Sequence, residues 1–281
     1  MKLSSGKLYI VATPIGNMED ISLRALRTLR EVHLVAAEDT RITARLFACH
    51  DIRTPLLSFH EYNETQRTAA LLEKLEAGES LALVSDAGTP SVSDPGYRLV
   101  LAALEKKIPV IPVPGVSAAV TALSVSGLPT DTFTFAGFPP RKKGKRLGLL
   151  ESLKTENRTL IFYESPRRIS SFLAEVQDVL GDRPAVLARE MTKLYEEFIR
   201  GSISRIREEL ESRQSVKGEC TLLVGGSAQG EEISGEKLEE IIAEELNAGT
   251  PVSYISKKIS KERGISRKEV YALALKMRED R

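Results

Sequence analysis

The sequence predicts an α/β protein of two domains, followed by a small all-α module. Short apolar runs alternate with amphipathic segments from residue 8 to residue 125, a pattern typical of a mostly parallel sheet. Strand-like segments rich in β-branched and aromatic residues resume near residue 132. A glycine-rich stretch over 225–230 then precedes a purely helical pattern. We therefore place the domains at residues 1–127 and 128–226 and the module at residues 231–281.

The first domain is predicted as four successive strand–helix pairs. Leu23, Leu26 and Leu29 share one face of the first helix, and Gly78 ends the second helix. In chain order the elements are strand 8–11, helix 21–32, strand 33–37, helix 65–76, strand 81–84, helix 97–107, strand 109–113 and helix 118–125. Ligands of open α/β sheets bind outside the carboxyl ends of the strands. We therefore expect the functional site in the segments that follow these strands.

The second domain and the module continue the chain with different patterns. In the second domain the predicted elements are strands 132–136, 159–163, 185–188, 197–200 and 220–224 and helices 167–180 and 204–211. In the module they are helices 236–246, 252–260 and 266–278, with a turn at Gly264. Such a module is either of helix-turn-helix type or a bundle that covers the second domain. Nine Lys and Arg against four Asp and Glu from Thr250 onward favour contact with nucleic acid.

Composition excludes several classes of protein. The net charge is +1, so only a local basic patch is available for nucleic acid. The two cysteines, Cys49 and Cys220, lie far apart, which predicts reduced, buried thiols in a cytoplasmic protein and no metal site. No run of 18 apolar residues occurs, and we expect no membrane association. The first strand is followed by Ala-Thr-Pro-Ile-Gly-Asn rather than GxGxxG, which argues against a dinucleotide fold.

The segment over 81–96 is the most informative part of the chain. An apolar strand stops at Ser85, and a loop constrained by two prolines and two glycines follows it. Asp86 lies at the end of the strand, where we expect it to serve a ligand. The loop that carries Asp86 and Asp94 is a candidate cradle for a small molecule. For Asp94 the position before Pro95 favours the structural alternative, in which Asp94 caps the next helix with Pro95 at its first position.

Seven short motifs occur together and in order. They are Ala12-Thr-Pro-Ile-Gly-Asn17, Glu38-Asp-Thr-Arg41, Ser85-Asp-Ala-Gly-Thr-Pro90 with Ser93-Asp-Pro-Gly96, Val113-Pro-Gly-Val-Ser117, Gly137-Phe-Pro-Pro-Arg141, Tyr163-Glu-Ser-Pro166 and Gly218-Glu-Cys-Thr221. Over residues 6–226 the chain resembles the ribosomal RNA small subunit methyltransferase I family, a branch of the tetrapyrrole-methylase fold. The helical extension is similar to that family's as well.

This resemblance implies a function. It implies two α/β domains with S-adenosyl-L-methionine in the cleft between them, and 2′-O-methylation of a cytidine ribose in the decoding centre of 16S ribosomal RNA. The expected partners are small-subunit RNA, in the assembled 30S subunit, and a second copy of the chain in a homodimer. The alternatives are a methyltransferase of the same fold that acts on a tetrapyrrole intermediate or on a protein, and an RNA-binding assembly protein that has lost turnover.

The resemblance also implies a set of cofactor contacts. Asp86, with Gly88 and Thr89, would hold the methionine portion, and Tyr163 would pack on the adenine. Met191 stands where the family's pattern has Leu, a swap that conserves volume. The full set implied is Ile15, Asp86, Gly88, Thr89, Ser117, Ala118, Tyr163 and Met191.

Catalysis at a ribose hydroxyl calls for a base or a charge stabiliser. Glu38, Asp39 and Asp86 are the candidate bases, and Lys193 is the candidate stabiliser. Neighbouring side chains of a strand alternate in direction, so we expect only one of Glu38 and Asp39 to face the cleft. The structural alternative is that one of them caps the next helix and the other pairs with Arg41.

A basic segment is the candidate RNA contact. Five of the six residues from 141 to 146 are Lys or Arg, which predicts a flexible loop that holds phosphates. The residues are Arg141, Lys142, Lys143, Lys145 and Arg146, with Arg41, Arg45 and Arg67 as extensions of the patch.

Overall fold

The first domain is built on a five-stranded parallel sheet. The computed structural model describes residues 6–227, 235–263 and 266–279. The strands are β1 (Leu8–Val11), β2 (Leu34–Ala37), β3 (Leu56–Ser58), β4 (Leu81–Val84) and β5 (Val110–Val113), in the order β3-β2-β4-β1-β5. Because all neighbours pair in parallel, the segments that follow the strands meet at one edge, as predicted.

Helices cover both faces of this sheet. They are α1 (Leu23–Glu31), α2 (Thr40–Cys49), α3 (Glu64–Glu76), α4 (Tyr97–Glu105) and α5 (Ala118–Ser124). Val35 and Val84 pack toward one core, and Leu81 and Leu83 pack toward the other. Burial on both faces explains why the strands are continuous apolar runs instead of alternating ones.

The second domain has a mixed sheet, in the order β6-β7-β10-β8-β9. Its elements are β6 (Phe133–Gly137), α6 (Lys143–Ser152), β7 (Thr159–Glu164), α7 (Ile169–Leu180), β8 (Pro184–Arg189), β9 (Glu197–Ser202), α8 (Ile203–Glu211) and β10 (Cys220–Val224). Phe162 and Leu222 face the core that the three helices cover. Ile161, Val186 and Leu223, on the opposite face, pack with Leu123 of α5. This contact joins the two domains.

Three elements differ from the prediction. Helix α2, strand β3 and helix α6 are absent from the predicted elements. The basic segment is predicted as a flexible loop, but its residues 143–146 form the start of α6. Gly144 and Gly148 weaken the helical pattern of α6, and its N-cap residue Lys142 makes no side-chain cap. Packing against the rest of the second domain stabilises this helix, because Leu150 is fully buried in that domain's core.

The C-terminal residues form three helices around their own core. These are α9 (Gly235–Asn247), α10 (Val252–Arg263) and α11 (Arg267–Glu279), and Ile242, Ile255 and Val270 pack at their centre. The turn at Gly264 and residues 228–230 of the predicted linker lie outside the described residues. None of the described helices is long and apolar enough to cross a membrane. Cys220 is buried as predicted, whereas Cys49 is exposed.

Two leucines of α4 give a matched test of the core. Leu99 is fully buried and Leu104 is 55% exposed. We expect Leu99→Ala to lower the free energy of unfolding by about 2–5 kcal/mol, because it leaves a cavity. Leu104→Ala, on the same helix, should change it by less than about 0.5 kcal/mol. Urea denaturation measures both values, and equal losses would contradict the assignment of this face to the core.

Candidate active site between the domains

A cavity of about 380 Å³ lies between the two domains. The segments after β1, β2, β4 and β5 line one side of it, and those after β6 and β7, with the start of β10, line the other. Seven predicted cofactor contacts line it: Ile15, Asp86, Gly88, Thr89, Ser117, Ala118 and Tyr163. Met191 is the exception, because it is buried with Ile15 in the apolar cluster that joins the domains.

A backbone bridge fixes two of the loops that line this cavity. Thr13 N donates to Gly88 O at 2.9 Å, and Gly88 N donates back to Thr13 O at 3.0 Å. Gly88 has φ of +79°, a conformation that glycine adopts without strain. The Thr13 hydroxyl also donates to Ser85 O at 3.1 Å. The loop after β4 is therefore held against the loop after β1 by the backbone itself.

Glu38 and Asp39 point in different directions, as the alternation of a strand requires. Glu38 Oε2 accepts from Asp86 N at 3.3 Å and lines the cavity. Asp39 caps α2 by accepting from Arg41 N at 2.8 Å, and the same carboxylate pairs with the Arg41 guanidinium at 2.5 Å. Asp86 Oδ1 accepts from Asp39 N at 2.9 Å, which locks the ends of β2 and β4 together.

Three carboxyl groups of the cavity, those of Glu38, Asp86 and Asp94, have raised pKa values. Burial raises the pKa of Glu38 and of Asp86, and the neighbouring negative charges raise both further. Asp94 shows the largest effect, because burial and then the charge of Glu38 raise its pKa to about 7. Hydrogen bonds from Arg41 lower the pKa of Asp39 to about 2. Burial and mutual repulsion therefore disfavour the ionised forms of the three cavity carboxyl groups, whereas Asp39 is held ionised by its arginine.

The prediction that Asp94 caps the following helix is wrong. Helix α4 begins at Tyr97, with Gly96 at the N-cap and no side-chain cap from the loop. Glu64 of α3 takes that role, since its Oε1 accepts from Gly96 N at 3.1 Å and from Arg98 N at 3.2 Å. A cap supplied from a distant helix leaves Asp94 free to line the cavity. The sequence signal for this position was that Asp94 lies in the same loop as Asp86.

Two aromatic side chains, Tyr163 and Phe138, also line the cavity. The Tyr163 hydroxyl accepts from Ala119 N at 3.1 Å, which fixes the ring. Phe138 is 57% exposed and lies 5.5 Å from Tyr163 between ring centroids. Cys220 also lines the cavity, and burial raises the pKa of its thiol to about 11. The lining of the cavity therefore combines carboxyl groups with aromatic and apolar surface.

Lys193 lies outside this cavity, in a network of ion pairs. Its Nζ is 3.1 Å from Glu190 Oε1 and 3.1 Å from Glu219 Oε2. The neighbouring Thr192 Oγ1 accepts from Asn17 N at 3.0 Å, a hydrogen bond between the domains. Lys193 lines an adjacent cavity, which is described below.

The five basic residues of the 141–146 segment fall into two groups. Arg141, Lys142, Lys143 and Lys145 are exposed. The side chain of Arg146 is 12% exposed, and it binds Glu175 through two hydrogen bonds of 2.5 and 2.7 Å. It also donates to the carbonyl oxygens of Pro140 and Arg141. Arg146 thus holds the segment in place, and its guanidinium is engaged within the protein.

Arg41 remains at the surface with most of its side chain exposed, although it is paired with Asp39. In the part of the chain that the structure describes, no three His, Cys, Asp or Glu side chains are grouped to hold a metal ion.

Comparison with known proteins identifies the family. Residues 7–207 match the family of tetrapyrrole (corrin/porphyrin) methylases. The chain is 47% identical over 268 residues to a ribosomal RNA small subunit methyltransferase I from Micromonospora olivasterospora, covering 95% of this chain and 86% of that one. It is 44% identical over 271 residues to the protein of that name from Halalkalibacterium halodurans, covering 95% and 93%.

Solved structures share the fold at low identity. A uroporphyrin-III C-methyltransferase from Thermus thermophilus, complexed with S-adenosylhomocysteine, matches with a TM-score of 0.56 and 21% identity, covering 78% of this chain and 97% of that one. A diphthine synthase matches with a TM-score of 0.60 and 14% identity, covering 78% and 90%. These matches and the sequence relatives confirm the resemblance and the two-domain fold. The chain belongs to the tetrapyrrole methylase family and, within it, to the ribosomal RNA small subunit methyltransferase I branch.

Proposed function

We propose that this protein uses S-adenosyl-L-methionine to methylate the 2′-hydroxyl of a cytidine ribose in the decoding centre of 16S ribosomal RNA. The observation that carries this proposal is the cavity between the domains, whose lining combines carboxyl groups with aromatic side chains. The names of the sequence relatives support a ribosomal RNA substrate. We propose further that the protein acts in the cytoplasm, as a homodimer, on the assembled 30S subunit.

The cavity suits this cofactor in charge and in shape. A volume of about 380 Å³ is in the range of small-molecule sites. Glu38, Asp86 and Asp94 would face the cationic sulfonium and ammonium groups. Tyr163 and Phe138 would pack against the adenine, a flat apolar ring.

A side chain of the protein must accept the proton of the ribose 2′-hydroxyl. When bound, S-adenosylmethionine supplies a methyl group that passes to the ribose oxygen as the carbon–sulfur bond breaks and its electron pair stays on sulfur. Glu38 and Asp86 both line the cavity with pKa values raised by burial, and of the two Asp86 already joins the ends of β2 and β4 through its hydrogen bond from Asp39 N. Asp39 is engaged by Arg41. We therefore propose Glu38 as the base and assign Asp39 a structural role.

The direct test is methyl transfer from radiolabelled S-adenosylmethionine to 30S subunits from a strain that lacks this protein. We expect a single 2′-O-methylcytidine, identified by mass spectrometry of the nucleosides. Incorporation into free tetrapyrroles or into a protein, with none into RNA, would favour the alternative methyltransferases of this fold. Cofactor binding without transfer to any acceptor would favour an assembly protein that has lost turnover.

The two adjacent acids provide a matched pair of variants. We expect Glu38→Gln to lower kcat by about 100-fold or more, the contribution of a general base. Asp39→Asn should stay within about twofold, since Asn is also a good N-cap residue and the pair with Arg41 is at the surface. Single-turnover assays with saturating cofactor measure both rates. Equal losses in the two variants would remove Glu38 from the role of base.

The exposed basic residues should bind RNA through phosphates. Alanine at Arg141, Lys142, Lys143 and Lys145 together should weaken RNA binding by about 100-fold at low salt and flatten its salt dependence. Binding of S-adenosylhomocysteine, measured by calorimetry, should be unchanged. Alanine at Lys106 and Lys107, on the end of α4, is the control for lost charge. Unchanged RNA affinity in the fourfold variant would exclude the segment as the RNA contact.

Arg146→Ala should behave differently from these variants. Its guanidinium is paired with Glu175 in a largely buried site, so its loss should lower the free energy of unfolding by about 3 kcal/mol. A thermal melt measures this loss. A weakened affinity for RNA without any loss of stability would contradict the structural role.

The pKa of Asp94 predicts a pH dependence of cofactor binding. With a pKa of about 7, its carboxyl is neutral below that pH and anionic above it. Affinity for the cationic S-adenosylmethionine, relative to the uncharged sulfur of S-adenosylhomocysteine, should rise from pH 6 to pH 8 by up to about tenfold. Asp94→Asn should flatten this ratio in calorimetric titrations. A ratio that changes equally in the variant would assign the effect to another group.

A further inference from the structure

We propose that a second cavity, next to the first, binds the acceptor nucleotide of the RNA. It has a volume of about 420 Å³ and lies between α2, the loops after β1 and β4, and the Lys193 region of the second domain. This assignment rests on the proposed function, and it adds the site at which the RNA presents its reacting ribose.

The two cavities share a wall. Ile15, Asp86, Ala87 and Glu219 line both of them. Transfer of a group requires the nucleophile and the reacting carbon to lie about 3–3.5 Å apart in line. Because the two cavities have these four lining residues in common, they lie next to each other, and a ligand in the second cavity would have its reacting group beside the cofactor cavity. Asp86 is part of that wall, fixed by its hydrogen bond from Asp39 N. Glu38, the proposed base, lines the cofactor cavity and accepts from Asp86 N at 3.3 Å, so the base lies next to the shared wall.

The lining of the second cavity fits a nucleotide. Met18 and Ile42, each 38% exposed, give apolar surface for a base or a ribose. Arg45 is exposed and lines the same cavity, and no ion pair or hydrogen bond of its guanidinium is found among the described residues. An apolar surface beside a cation is what a base with its attached phosphate needs.

The second domain closes one end of this site. Lys193, held between Glu190 and Glu219, places a second cation at the cavity. Gly16 allows this approach, because a Cβ there would lie 2.5 Å from Lys193 Cγ and 2.7 Å from Thr192 Oγ1. Arg45 and Lys193 therefore approach the cavity from different domains, as needed to hold successive phosphates of one strand.

A bulky side chain in the second cavity tests binding of the acceptor independently of binding of the cofactor. We expect Ile42→Trp to lower kcat/KM for 30S subunits by about 100-fold, because the ribose is displaced from its position. The Kd of S-adenosylhomocysteine should stay within about twofold of the wild-type value, which also shows that the variant is folded. Leu101→Trp, at an exposed leucine of α4, is the matched control and should retain activity.

Arg45→Glu is a second, surface variant that tests the phosphate contact. Arg45→Glu should also abolish most methyl transfer, with S-adenosylhomocysteine binding unchanged. Arg45→Ala should reduce the dependence of RNA affinity on salt concentration by the amount expected for about one phosphate contact. Arg27→Ala, on α1, is the control.

The outcomes distinguish this assignment from the function on which it rests. Wild-type rates in both Ile42→Trp and Arg45→Glu would overturn the assignment while the proposed function stands. Loss of S-adenosylhomocysteine binding in Ile42→Trp would show that the second cavity belongs to the cofactor site and would overturn it as well. Absence of transfer by the wild-type protein would overturn the proposed function itself.

Discussion

The apolar contact between α5 and the second sheet is the constraint on which the site depends. Ala119 and Leu123 of α5 pack with Ile161, Val186 and Leu223 of the sheet, and all five side chains are buried. The burial of apolar surface stabilises this contact without requiring any bound ligand. It places the carboxyl end of the first sheet beside the second domain, where the cavity lies.

The chemistry of the site follows from the alternation of side chains at the end of one strand. Glu38 and Asp39 are neighbours in sequence, yet one lies in the cavity and the other pairs with an arginine at the surface. Their pKa values consequently move in opposite directions, the first upward through burial and the second downward through Arg41. Two carboxyl groups of similar intrinsic acidity thus acquire separate tasks from their surroundings alone.

Local pattern predicts most of the architecture. The apolar runs place every strand of the first sheet except β3, whose three residues are too few to form a pattern. The loops that form the candidate site can also be predicted, because glycine, proline and acidic residues cluster after the strands. The two charged residues that local pattern misassigned depend on partners far along the chain. Glu64 caps α4 from 32 residues away, and Glu175 binds Arg146 from 29 residues away.

These distant partners explain both misread residues. Asp94 had the sequence context of a cap, and only the position of Glu64 in the fold frees it for the cavity. Arg146 belongs by sequence to a basic run, and only the neighbouring helix α7 reveals that it is internal. The candidate site was therefore predictable as a set of loops, whereas the state of each charged group required the tertiary structure.

The environment of Cys220 limits its alkylation by a methyl donor bound in the cavity. Its thiol lies in the wall of a cavity suited to an electrophilic methyl donor, and a thiolate is the form of cysteine that attacks electrophiles. Burial raises the pKa of this thiol to about 11, so that at neutral pH only about one molecule in ten thousand carries the thiolate. The protein can thus keep a sulfur nucleophile beside a reactive ligand with little self-alkylation.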